Sequence, residues 1–118
     1  MKVKDAIYGD YRKSEVRDLI QTALRKIPAL SKHNEENDIP LEALEKAIWK
    51  MREKYGCMMQ YIMPLFRPEL NEAYYSCSFK TKEHEWIGTV NGLTIYEVYA
   101  KGVLMLYSYA RKANSNLQ

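Results

Sequence analysis

Thr94-Ile95-Tyr96-Glu97-Val98-Tyr99-Ala100-Lys101-Gly102-Val103-Leu104-Met105-Leu106-Tyr107-Ser108-Tyr109-Ala110-Arg111-Lys112 is the stretch that decides the fold. It opens as a capping box. The Thr94 hydroxyl is placed to accept the backbone N–H of Glu97, and the Glu97 carboxylate to reach back to the cap. Leu93 before the cap and Val98 after it have the spacing of a hydrophobic staple. As far as Ala110 the polar positions are Glu97, Lys101 and Ser108, which fall on one narrow stripe of a helix. A helix that is apolar on most sides needs cover on most sides. Leaving half a dozen large side chains in water costs about 10 kcal/mol, at roughly 1.5–3 kcal/mol each. That rivals the whole stability of a small domain. The reading is a buried core helix that one sheet cannot cover alone.

Upstream of this helix the hydrophobic period is two. Asn91-Gly92 reads as a turn into the helix. Glu85 to Asn91 and Ala73 to Lys80 read as strands joined by the polar turn Thr81-Lys82-Glu83-His84, an antiparallel hairpin. Alternation puts Ala73, Tyr75, Cys77 and Phe79 on one face and Tyr74, Ser76, Ser78 and Lys80 on the other. Cys57 to Phe66, rich in Met and aromatics, reads as a further strand. Pro64 sets its far end at an edge or a bulge. Arg67 to Glu72 connects it to the hairpin.

Two helices precede the strands. One opens at Ile39-Pro40, where proline is pre-organised for a helix start. Leu41, Leu44, Ile48, Met51 and Tyr55 form its apolar stripe, with Ala47 and Trp49 beside it, and Gly56 ends it as a left-handed cap. Glu42 and Lys46 make a favourable i,i+4 pair on its outer side. The other spans 14–27, with Ser14 as N-cap, Glu15 in the first turn and Pro28 as the stop. Its stripe is Val16, Leu19, Ile20, Ala23, Leu24 and Ile27. The polar run 31–38 reads as a flexible loop, residues 1–13 as an N-terminal arm, and 114–118 as a frayed tail. The expected fold is α+β in a single domain, 1–118: two N-terminal helices, a three-stranded antiparallel sheet and a buried C-terminal helix. Helix 14–27 of the same chain is the favoured second cover for the last helix, ahead of a neighbouring chain.

The 118 residues carry 18 basic and 15 acidic side chains, a formal charge of +3. That excess does not identify a nucleic-acid binder, because binders concentrate their charge on one face. Acids and bases are mixed along this chain. No apolar run is long and clean enough to cross a bilayer, and the charged start Met1-Lys2-Val3-Lys4-Asp5 lacks the apolar core of a signal peptide. The expectation is a soluble cytoplasmic protein without membrane contact. Cys57 and Cys77 make no disulfide framework. Reduced thiols are expected, with one bridge between neighbouring strands left open by geometry.

No catalytic motif, cofactor fingerprint or metal-ligand spacing is present, so no catalytic, cofactor-binding or metal residue is assigned and the chain reads as non-enzymatic. His84, between Glu83 and Glu85, reads as a solvated hairpin tip. His33 lies in the loop, and Glu35-Glu36-Asn37-Asp38 does not match a calcium loop. The ten tyrosines are the least ordinary feature. A large ring with a polar tip suits both a half-wet core and an interface. On the hairpin Tyr74, Lys80 and Trp86 share a face, with Arg67 and Lys82 nearby. On helix 14–27 Arg17 and Arg25 stand among Arg12, Lys13 and Lys26. These residues form the candidate interaction surface, through protein contacts or through stacked bases and phosphates.

Trp86-Ile87-Gly88-Thr89-Val90-Asn91-Gly92-Leu93-Thr94-Ile95-Tyr96-Glu97-Val98-Tyr99-Ala100-Lys101 resembles the end of small HicB-like antitoxin domains, where a strand and a Gly-Xaa-Thr turn lead into a capped helix. The order helix, antiparallel strands, helix also looks like the small α-β-α sandwich domains of phage and prophage genes. This chain lacks the Gly-Cys strand end of HicB-like domains and has two further helices in front, so no functional residue is carried over. The resemblance implies a small accessory protein of a phage or mobile element. The expected function is a non-enzymatic intracellular protein, self-associating as a homodimer, that binds another protein. The alternative is a small nucleic-acid-binding module that uses the 73–91 hairpin and helix 14–27.

Overall fold

The computed structural model describes residues 21–23, 25–27, 30 and 39–117, with side chains as far as residue 112. Its elements are helix α1 (Leu41–Tyr55), strands β1 (Met58–Met59) and β2 (Met63–Arg67), a 3-10 turn (Pro68–Leu70), strands β3 (Glu72–Lys80) and β4 (Trp86–Gly92), and helix α2 (Ile95–Leu117). The fold is α+β with an antiparallel sheet. Of helix 14–27, residues 21–23 and 25–26 are helical. Its cap at Ser14, its stop at Pro28, Arg17, the arm 1–13 and the loop 31–38 lie outside the described residues.

The sheet has four strands, where three were expected. The run read as one strand, Cys57 to Phe66, is broken in two. Met59 pairs with Phe79 and Met63 with Ser76. Between those pairs the first strand advances four residues while β3 advances three. One residue is extra, which is a bulge. β4 pairs with Tyr75 to Lys80 of β3. Tyr75, Ser76, Phe79 and Lys80 have partners on both sides, so β1 and β2 run end to end along the edge of β3 opposite β4.

α2 lies across the face of the sheet that carries Cys77, Phe79 and Val90, all buried. Three glycines let it approach. A Cβ on Gly102 would lie 2.5 Å from Phe79 Cζ, one on Gly92 would lie 2.7 Å from Glu97 Cβ, and one on Gly88 would meet Met105 Sδ. Gly92 therefore ends a strand that α2 overlies, whereas Asn91-Gly92 was expected as a turn. α1 covers a second side of α2 with Leu44, Ala47, Ile48 and Met51. Ala23, Ile27 and Leu30 join the same core. Among the described residues α1 thus supplies second cover from the same chain, and Ala23 and Ile27 of helix 14–27 lie in the core beside it, while the rest of that helix's apolar stripe lies outside the described residues. The Tyr96 hydroxyl donates to the Ile39 carbonyl at 2.7 Å, which ties the two helix starts together.

The caps follow local chemistry. Gly56 takes φ 72° and donates to Arg52 O, ending α1. The Glu97 N–H donates to Thr94 Oγ1 at 3.2 Å, and Glu97 Oε2 accepts from the Leu93 N–H at 2.8 Å. The carboxylate reaches one residue further back than the cap itself. Val98 is buried but Leu93 is 54% exposed, so the glutamate rather than a hydrophobic staple holds the helix entry. α2 continues to Leu117, beyond Lys112, where the sequence places its end.

Candidate functional site

α2 covers one face of the sheet, and among the described residues no element covers the other. Alternation along β3 puts Glu72, Tyr74, Ser76, Ser78 and Lys80 on this outer face, and pairing adds Met63, Leu65 and Arg67 from β2 and Thr89 and Asn91 from β4. Lys80 pairs with Trp86 across the irregularity that follows Phe79. Tyr74, Lys80 and Trp86 therefore do share a face. The Arg67 guanidinium stacks 4.3 Å above the Tyr74 ring and lies 3.9 Å from Glu72. The Trp86 indole N–H donates to Thr89 Oγ1 at 3.2 Å, and Thr89 is joined to Ser78 by a 2.8 Å hydroxyl contact. These bonds pin a ring that is 67% exposed.

Arg25 is exposed but belongs to the helical layer, with its neighbours Ala23 and Ile27 in the core under α1 and α2. The sheet separates it from Tyr74, Lys80 and Trp86. Arg17 lies outside the described residues. The hairpin and helix 14–27 do not form one continuous surface through Arg25.

β2 was not singled out from sequence. Among the described elements its substantial contacts are with β3 alone, and only Arg67 of the strand is even half-buried. Met63 and Leu65 are exposed on the outer face. Pro64, Phe66 and the facing Ala73 are exposed on the other, beyond the reach of α2. Tyr61 is 91% exposed, Phe66 55%, and Leu70 in the 3-10 turn is exposed as well. The β2–β3 end is a two-stranded ribbon that overhangs the core with apolar side chains on both faces. Pro64, the one sequence signal, marks an edge but not which residues it leaves open.

Most tyrosines serve the core. Tyr55, Tyr75, Tyr96, Tyr99, Tyr107 and Tyr109 are half-buried against it. A cavity of about 490 Å³ between α1 and β1 is lined by Glu45, Trp49, Arg52, Cys57, Met59 and Tyr99 among others. Its thiol and phenol are held protonated. Burial raises the Cys57 thiol, and burial, then the Glu45 carboxylate, raises the Tyr99 hydroxyl. Neither is an activated nucleophile, which requires a lowered pKa. Cys57 and Cys77 are both free and buried. His84 is exposed at the hairpin tip with φ 67°, where its N–H donates to Thr81 O. Among the described residues no group of His, Cys, Asp or Glu is arranged to hold a metal ion, and no helix is long and apolar enough to cross a membrane.

No protein-family model matches the chain, and neither a curated protein nor a solved structure matches it.

Proposed function

We propose that this protein is a non-enzymatic interaction module that binds a protein partner through the overhanging β2–β3 ribbon and the adjoining outer face of the sheet. The observation that carries the reading is the exposure of β2 on both faces. A strand that contributes little to its own core still carries Met63, Leu65 and Phe66, and Tyr61 and Leu70 flank it. Contiguous exposed apolar surface of this kind, rimmed here by Arg67, Glu69 and Glu72, marks an interaction site. Trp86, Tyr74 and Arg67 supply the residue types that dominate binding hot spots. Pro64 removes one backbone donor from the edge, so side chains rather than a continued strand ladder carry recognition.

A second copy of the chain is one candidate partner. A small accessory protein of a phage or mobile element is a setting that suits such a module, and gene neighbourhood tests that setting. The surface itself is tested by placing a photo-crosslinking amino acid at Phe66, at Trp86 or, as a control, at the exposed Glu42 of α1, in the cells that express the protein. Discrete adducts from Phe66 and Trp86 but not from Glu42 are expected, and light scattering then separates self-association from a foreign partner. Equal labelling from all three sites contradicts the reading.

A further inference from the structure

Five of the 18 basic side chains, mixed with acids along the sequence, meet on the helical side of the fold. A groove of about 830 Å³ runs between α1, the end of the 21–27 segment and α2, away from the outer sheet face. Lys46, Lys50 and Lys54 form one wall. They succeed one another at i,i+4 intervals, about 6 Å apart along the helix axis. Lys26 and Arg111 stand on the other walls. The groove therefore holds five cations against one carboxylate, Glu53, which lies 3.8 Å from Lys50. That local excess of four exceeds the +3 of the whole chain, so the rest of the molecule is slightly acidic. Lys26, Lys46 and Lys54 have no ion-pair partner among the described residues, nor does Glu42 pair with Lys46 as its spacing suggests.

We infer that this groove binds the phosphodiester backbone of a nucleic acid. The alternative polyanion is an acidic amphipathic helix, and the floor of the groove decides between them. A docking helix is held by its apolar stripe sinking into an open apolar trench. Here Ile27, Ala47, Met51 and Ala110 are each 6% exposed or less, so the floor side chains are already packed into the core and offer little surface to an inserted stripe. What remains accessible is the lysine and arginine side chains, stems and charged heads together, with two half-buried tyrosine rings between them. Lys54 lies 5.4 Å over Tyr55 and Arg111 5.8 Å over Tyr107. A row of evenly spaced cations with rings between them fits a backbone of evenly spaced phosphates. Four of the five cations are lysines, which meet phosphates as point charges, so binding is expected to be independent of sequence.

Fluorescence anisotropy of the full chain with a labelled DNA duplex and a labelled single strand, each in two unrelated sequences, tests this. Both sequences bind alike, and affinity falls about a hundredfold between 50 and 200 mM salt, as expected for roughly four phosphate contacts. The exposed pair Lys46→Gln, Lys54→Gln weakens binding about tenfold or more at the lower salt and reduces the salt slope by about two. Its circular dichroism and melting stay those of the parent. Lys80→Gln on the opposite face of the sheet changes nothing. Absence of binding at 50 mM salt overturns the proposal. So does a loss seen with Lys80→Gln but not with the lysine-ridge pair, which moves the site to the hairpin. Displacement by poly-glutamate as effective as by unlabelled DNA also overturns it, in favour of an acidic protein.

Discussion

At Gly102 the absence of a side chain sets the distance between the central helix and the sheet. Alanine is the better helix former by about 1 kcal/mol, so on an open helix Gly102→Ala would stabilise. Here the new Cβ would sit 2.5 Å from the ring of Phe79, which is fully buried and has nowhere to turn. Overpacking of this kind costs about 1–3 kcal/mol. Urea denaturation is expected to show a net loss, and a gain would mean that the ring is free to move. The thiols give a second residue-scale test. Burial holds Cys57 and Cys77 above the ordinary 9.0, so as pH rises the unfolded chain loses thiol protons before the folded one. Their contribution is complete below about pH 9 and is lost as pH climbs through the raised folded values. The urea midpoint should fall over that range, and Cys57→Ala with Cys77→Ala should remove much of the fall. Tyr99 adds a further decline from 10.0 upward. Both cysteines were readable as buried reduced thiols, because a lone Cys among apolar neighbours packs as a small hydrophobe. The need for Gly102 was not readable, since Phe79 meets it only after the sheet and helix have docked.

Among the elements, α2 was the most legible and the first strand the least. The cap of α2 is written in four consecutive residues, and its chemistry does not depend on distant partners. Thr94→Ala removes the acceptor of the Glu97 N–H and should cost about 1 kcal/mol, with Thr94→Ser close to the parent. Thermal melts of the two variants check this, and equal melting would show that the cap carries no weight. The helix entry departs from expectation only in that Glu97 engages Leu93, leaving the Leu93 side chain in water. β3 was legible because its two faces alternate cleanly. The bulge between β1 and β2 is different. It is a register difference against β3, and only Pro64 hinted at irregularity in a run that is apolar but for Gln60. Asn91-Gly92 misled for a related reason. Glycine serves turns through its positive φ and close packing through its missing Cβ, and sequence alone does not say which.

For the whole molecule, the sequence showed that the last helix needs cover from more than one side. The fold supplies it from the sheet and from α1 in one chain. Of the surfaces created by that arrangement, only the shared face of Tyr74, Lys80 and Trp86 was legible. With both layers committed to α2, no described element covers the outer sheet face, the β2–β3 ribbon overhangs, and lysines that look like an ordinary solvated stripe on α1 come to face Lys26 and Arg111. On the proposed function the exposed apolar ribbon serves binding, and the core serves stability. That division is tested most directly by the unfolding free energy of the Tyr61→Ser, Phe66→Ser double variant, set beside Phe79→Ala. Phe79→Ala empties a fully buried site and should lose about 3–5 kcal/mol. The double variant should stay within about 1 kcal/mol of the parent. A loss in the double variant as large as that of Phe79→Ala would place β2 in the core and contradict the division.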